Sequence, residues 1–81
     1  MIDDIPEWSE AATGVKAGPY VHFRGNEYYV EGVARHSESM AEYVVYRALF
    51  GDGERWIRPL AQFLEEVEVD GQKLPRFRRV E

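Results

Sequence analysis

The sequence predicts an all-β fold: a small barrel of five to six short strands with one 3₁₀ or helical turn and an acidic N-terminal arm. Three observations carry this expectation. Short runs of β-branched and aromatic residues recur along the chain, most clearly Tyr43-Val44-Val45-Tyr46. Gly, Asn, Asp and Pro signals separate these runs at short intervals. The segment around Tyr43 to Tyr46, where a helix is the alternative, has no clear 3.6-residue period. So many strands in 81 residues favour closure, because a closed sheet leaves no exposed edge.

Residues 1–14 read as the arm and residues 15–81 as the barrel domain. In the arm, Trp8 is the one large apolar group among acids, placed to dock on the barrel or on a partner, its own domain being the more ordinary outcome. Ser9-Glu10-Ala11-Ala12 suits a short helical turn, and Thr13-Gly14 marks a break. Pro19 to Phe23 is the first strand, with Val21 and Phe23 on one side and Tyr20 and His22 on the other. Gly25-Asn26 tolerates positive φ and suits a two-residue hairpin. Tyr28 to Ala34 is the second strand. Ser39-Met40-Ala41-Glu42 fits a helix capping box, but the β-branched and aromatic run that follows favours a third strand from Glu42 to Leu49. Gly51-Asp52-Gly53 turns the chain into a fourth strand, Arg55 to Arg58, which Pro59 ends. Leu60 to Phe63 suits a single helical turn. Leu64 to Val69 is the fifth strand, with Val67 and Val69 inward, and Asp70-Gly71 leads to an edge strand from Pro75 to Val80.

Size allows one domain with a modest core. The chain has no Cys, so disulfides and thiolate metal sites are excluded. The acids Asp3, Asp4, Glu7 and Glu10 replace the basic start of a secretory signal, and no apolar run is long enough to span a bilayer, so a cytoplasmic location without membrane contact is expected. The net charge of −5 is concentrated in residues 1–14, which hold four acids and no base; the rest carries eleven acids against ten bases. That balance argues against nonspecific binding to a phosphate backbone but leaves room for a local basic patch. Eight of the ten bases are Arg, whose planar fork suits carboxylates and phosphates.

The ordered motifs resemble a known family. Gly18-Pro19-Tyr20-Val21-His22-Phe23-Arg24-Gly25 is similar to an opening Gly-x-Tyr-x-His-Phe-Lys-Gly, and Ala34-Arg35-His36-Ser37-Glu38 to a central Ala-Arg-His-Ser-Glu. Val44-Val45-Tyr46, Leu49-Phe50-Gly51-Asp52, Trp56-Ile57-Arg58-Pro59-Leu60, Phe63-Leu64-Glu65 and Pro75-Arg76-Phe77 follow in order. Together they resemble the small bacterial and phage family known as domain of unknown function 1653, over Gly18 to about Phe77. The resemblance implies an SH3-like β-barrel and no activity, so no functional residue is carried over. Arg24 stands where Lys is usual and Ser39 where Thr is usual; the arm lies outside the shared region.

The densest polar cluster is Arg35-His36-Ser37-Glu38, between two strands. As a hydrolytic set it is poorly arranged: in an extended segment His36 and Glu38 project to one side and Ser37 to the other. A bland alternative has Ser37 or Ser39 bonding the turn backbone while Arg35 pairs with Glu38 or Glu42. Metal binding lacks a third ligand at suitable spacing to His22 and His36, so neither metal nor cofactor is assigned. The aromatic set, Tyr20, Tyr28, Tyr29, Tyr43, Tyr46 and Trp56, is large for the length. Trp56, Phe23 and one or two tyrosine rings are expected in the core, with about a third of the set facing solvent. Arg35, Arg58 and Arg76 are natural anion contacts.

The sequence therefore favours a binding module over an enzyme, with a surface gathering Arg35, His36, Ser37, Glu38, Tyr46, Trp56 and Arg58 around an anionic or peptide-like ligand. Peptide, nucleotide and nucleic acid are the candidate partners. The alternatives are a small hydrolase or transferase with His36 as general base, and a structural protein, monomer or homodimer, joined through the Pro75 to Val80 edge.

Overall fold

The computed structural model describes residues 5–80; Asp3 and Asp4 of the acidic arm lie outside the described residues. The all-β class holds. A five-stranded antiparallel sheet has the order β4-β3-β2-β1-β7, and β5 pairs with β6 in a separate ribbon. The strands are β1 (Gly18–His22), β2 (Glu27–Arg35), β3 (Glu42–Ala48), β4 (Arg55–Pro59), β5 (Glu66–Val69), β6 (Gln72–Pro75) and β7 (Phe77–Arg79). Two four-residue helices, α1 (Glu10–Thr13) and α2 (Leu60–Phe63), complete the order. The segment from Glu42 is strand, as its β-branched run dictates, and not a capped helix.

Closure does not occur through a continuous ladder: β4 and β7 end the five-stranded order. The expected return strand from Pro75 to Val80 is broken at Arg76 into β6 and β7. There the backbone bridges the two sheets. The Arg76 N–H donates to the Glu65 carbonyl, and the Arg76 carbonyl accepts from Phe23 N–H, both at 2.9 Å. A residue whose donor and acceptor serve different sheets cannot extend either ladder. The first hairpin also differs from a two-residue turn. His22 N–H donates to the Asn26 carbonyl at 2.8 Å, leaving the three-residue loop Phe23-Arg24-Gly25, with Gly25 at φ 101° where a side chain would be strained.

A bulge in β2 sets which residues face inward. The β2–β3 register shifts between Val30 and Gly32, so Glu31 is the extra residue. Tyr28 and Val30 lie opposite Ala48 and Tyr46, whereas past the bulge Val33 and Arg35 lie opposite Val44 and Glu42. Without it, strict alternation would turn Gly32 and Ala34 inward instead. The core gathers Tyr20, Val30, Val44, Tyr46 and Phe77 from the sheet under Leu60 and Phe63 of α2 and Ala12 of α1. Val30 and Val44 are wholly buried, and each such side chain is worth roughly 1.5–3 kcal/mol. The other sheet face stays open, with Glu31 between Arg47 (3.6 Å) and Arg55 (3.2 Å). Among the described residues no helix is long and apolar enough to cross a membrane.

Candidate functional site

The cluster Arg35–Glu38 lies at the β2–β3 hairpin tip, and its polar groups are turned onto their own chain. His36 N–H donates to the Ala41 carbonyl and Met40 N–H to the His36 carbonyl. His36 Nδ1 accepts from the backbone of Glu38 (3.2 Å) and Ser39 (3.3 Å), and Ser39 Oγ accepts from Ala41 N–H. Ser37 and Glu38 are exposed turn residues. The exposed imidazole is held by backbone donors, and among the described residues neither Ser37 nor a carboxylate bonds it, so they assemble no catalytic relay there.

Arg35, turned inward by the bulge, holds the arm. Its Nη2 donates to the Pro6 carbonyl, and its guanidinium lies 3.9 Å from the centre of the Trp8 ring. Opposite it, the Glu42 carboxylate accepts from Ser9 N–H at 2.8 Å and from Ser9 Oγ at 2.6 Å. These bonds hold the Glu42 pKa below the ordinary carboxylate value, helped by nearby Arg35. Ser9 Oγ also accepts from Ala12 N–H and so caps α1, whose Ala12 enters the core.

The inner face at the other end of the sheet has a different chemistry. Tyr28 meets Tyr46, Phe50 and Phe77 edge to face, with ring centres 5.3–5.7 Å apart, and Phe77 stacks on Phe63 at 4.4 Å. The His22 ring lies 4.9 Å from Phe77. Arg58 Nε donates to Tyr46 Oη at 3.2 Å, and the guanidinium lies 5.7 Å from the Phe77 ring. Among the described residues no carboxylate pairs with Arg58. Arg76 pairs with Glu65 at 3.0 Å, but its Nε–H is buried without a partner, which costs about 1–3 kcal/mol. Burial lowers the His22 pKa, and the charges of Arg58, Arg76 and Arg24 lower it further. Three guanidiniums thus act on one imidazole.

Two depressions flank this array. One, of about 170 Å³, is lined by Ala48, Phe50, Gly51, Asp52, Glu54 and Trp56. The other, of about 240 Å³, has His22 and Phe23 facing Leu74 and Pro75, with Arg78 at its border.

Of the seven residues expected to form one surface, the structure brings Tyr46, Trp56 and Arg58 together and leaves Arg35, His36, Ser37 and Glu38 elsewhere. Tyr46 and Glu42 are four residues apart on β3, a separation of about 13 Å, and the hairpin tip lies beyond Glu42. Trp56, expected in the core, is 48% exposed because β4 is an edge strand; Phe23 is half-buried on its loop. Tyr20 and Tyr46 are the tyrosines of the core. The sequence reading passed over Phe50, Phe77 and His22 as parts of a binding surface. Phe50 and His22 sit beside turn signals, but only the folded sheet lays both against the Tyr28 ring, and His22 against Phe77. Among the described residues no three His, Asp or Glu side chains are placed to hold a metal ion.

The molecule is thus a small all-β domain with a cationic, aromatic inner rim. It belongs to the family described as a protein of unknown function, DUF1653, whose pattern matches residues 18–79. A crystal structure of a DUF1653 protein from Bordetella bronchiseptica is similar, with a TM-score of 0.78 and 30% identity, over 85% of this chain and 91% of that one. No curated protein matches the sequence.

Proposed function

We propose that this domain is a binding module whose inner rim, built on Tyr46, Trp56, Arg58 and Phe77 with His22 and Arg76, takes a ligand bearing an anionic group beside an apolar one. The observation that carries the reading is the unpaired charge. Among the described residues Arg58 has a single side-chain hydrogen bond, to a neutral hydroxyl, and Arg76 keeps a buried donor free, in a chain whose net charge is −5. A guanidinium without a counter-ion beside the buried rings of Tyr46 and Phe77 is electrostatically incomplete, and an incoming carboxylate or phosphate completes it more strongly there than in open water. The exposed rings of Trp56 and Phe50 offer flat apolar area at little entropic cost.

Titration of ¹⁵N-labelled protein with nucleotides, short oligonucleotides and acidic peptides tests this. Amide signals of Tyr46, Trp56, Arg58 and Phe77 are expected to move while those of residues 36–40 stay in place. Shifts confined to the hairpin tip, or no shifts with any of the three, overturn the reading.

A further inference from the structure

The edge of β4 supplies a second recognition element. β4 ends the five-stranded order and packs against β3 and α2. Ala48 N–H donates to the Glu54 carbonyl, which sets the alternation of the ladder. With Tyr46 opposite Trp56 and Val44 opposite Arg58, those pairs exchange the bonds between the strands. The N–H and C=O groups of Arg55 and Ile57 therefore point away from β3, toward solvent. Arg55, Trp56 and Ile57 are all exposed, Ile57 by 64%, so nothing among the described residues covers this edge. Pro59, which has no N–H, terminates it.

Resting on the binding reading above, we propose that the ligand is an extended acidic peptide segment that adds to the β4 edge as a sixth strand. Backbone bonds to Arg55 and Ile57 would hold it, and side chains opposite three successive residues would select it. Opposite Arg58, on the inner face, stands an Asp or Glu, which supplies the missing counter-ion. Opposite Ile57, on the outer face, stands a branched apolar residue. Opposite Trp56 stands a second apolar residue, beside the cavity between Phe50 and Trp56; Asp52 and Glu54 line that cavity and disfavour another acid. A second copy of this edge is a poorer occupant. β4 itself carries Arg55 and Arg58 and no acid, so the matching strand of another copy would set no carboxylate opposite Arg58.

The probes are acetylated, amidated heptapeptides with a central Val-Ile-Asp, or its reverse, flanked by Thr and Ser, offered to the full chain. Strand addition is expected to slow amide exchange of Arg55 and Ile57 by about tenfold or more, along with the rim shifts. N-methylation of the central Ile in the antiparallel probe, Asp-Ile-Val, should remove that protection, because there its N–H donates to the Ile57 carbonyl. So should Ile57→Pro, which deletes a donor the fold does not use; its unfolding midpoint in urea verifies that the sheet is intact. Rim shifts without protection at Arg55 and Ile57 overturn strand addition while leaving the rim as a binding site. Rim shifts with nucleotides but not with either peptide do the same. Protection that rises with protein concentration in the absence of peptide assigns the edge to a second copy and also overturns it. Silence toward nucleotides, oligonucleotides and peptides removes both readings.

Discussion

The hairpin tip and the inner rim are made of the same residue types and end in opposite electrostatic states. At the tip, His36 and Ser39 accept hydrogen bonds from the turn backbone, and Arg35 spends its charge on Trp8 and the Pro6 carbonyl. At the rim, Arg58 faces a neutral phenol, and Arg76 keeps a buried N–H without an acceptor. The difference teaches that polar density along a chain marks a turn as readily as a site. What distinguishes a candidate site is a polar group the fold leaves incomplete, since incompleteness is what a ligand can relieve.

The contrast can be broken most severely through the ring the rim shares with the core. Phe77→Ala deletes the partner of Phe63, Tyr28 and His22 and is expected to cost about 3–5 kcal/mol in urea unfolding. A loss below about 1 kcal/mol would mean that the rim is not anchored in the core. Arg58→Met separates charge from packing. Unfolding free energy should fall by only about 0.5–1.5 kcal/mol, because the bond to Tyr46 Oη is lost but no ion pair among the described residues is. Affinity for an acidic probe should fall by about tenfold or more, the worth of one charge-assisted hydrogen bond.

Arg35→Ala is the counterpart at the tip. It should free the Trp8 indole, seen as a shift of its NMR signal toward a solvated value, at a cost of about 0.5–1 kcal/mol. Binding at the rim should be unaffected; a joint loss would show that the two regions act as one.

Smaller effects follow from pH. His22 has a lowered pKa in the folded state, so the unfolded chain takes up its proton first as pH falls. Stability from this group is complete above the unfolded imidazole pKa of about 6.5 and declines as pH drops from there through the folded pKa. In an NMR titration the His22 midpoint should rise in Arg58→Met and also when an anion occupies the rim; an unmoved midpoint in Arg58→Met would disconnect the two side chains. Glu42 also has a lowered pKa. Its hold on Ser9 is present above the ordinary carboxylate range and is lost as pH falls through the folded value. The Trp8 signal should report that release in the native chain and lose its pH dependence in Glu42→Gln.

Much of this was legible in the chain. The strand positions, the helical turn at Leu60–Phe63 and the family resemblance all follow from local composition and motif order, because β-branched runs and turn residues act over a few neighbours. The bland reading of Ser39 as a turn residue also followed from chemistry alone, since its hydroxyl lies within reach of the backbone two residues on. The rim was only half visible. Tyr46, Trp56 and Arg58 were marked by type, but their company was not, because Phe50, Phe77 and His22 lie far from them in sequence or beyond a turn.

Residue identity alone thus determined the all-β class, the placement of most strands and the surplus of arginines and rings. Tertiary structure decided which of those arginines would be spent and which kept. One extra residue at Glu31 reverses the facing of the rest of β2 and turns Arg35 onto the arm. The break at Arg76 leaves the ladder open, with β4 at its edge, while the packing of β3 against β4 leaves Arg58 beside a phenol. Facing, register and edges depend on pairing between distant segments, and no local pattern in the chain encodes them.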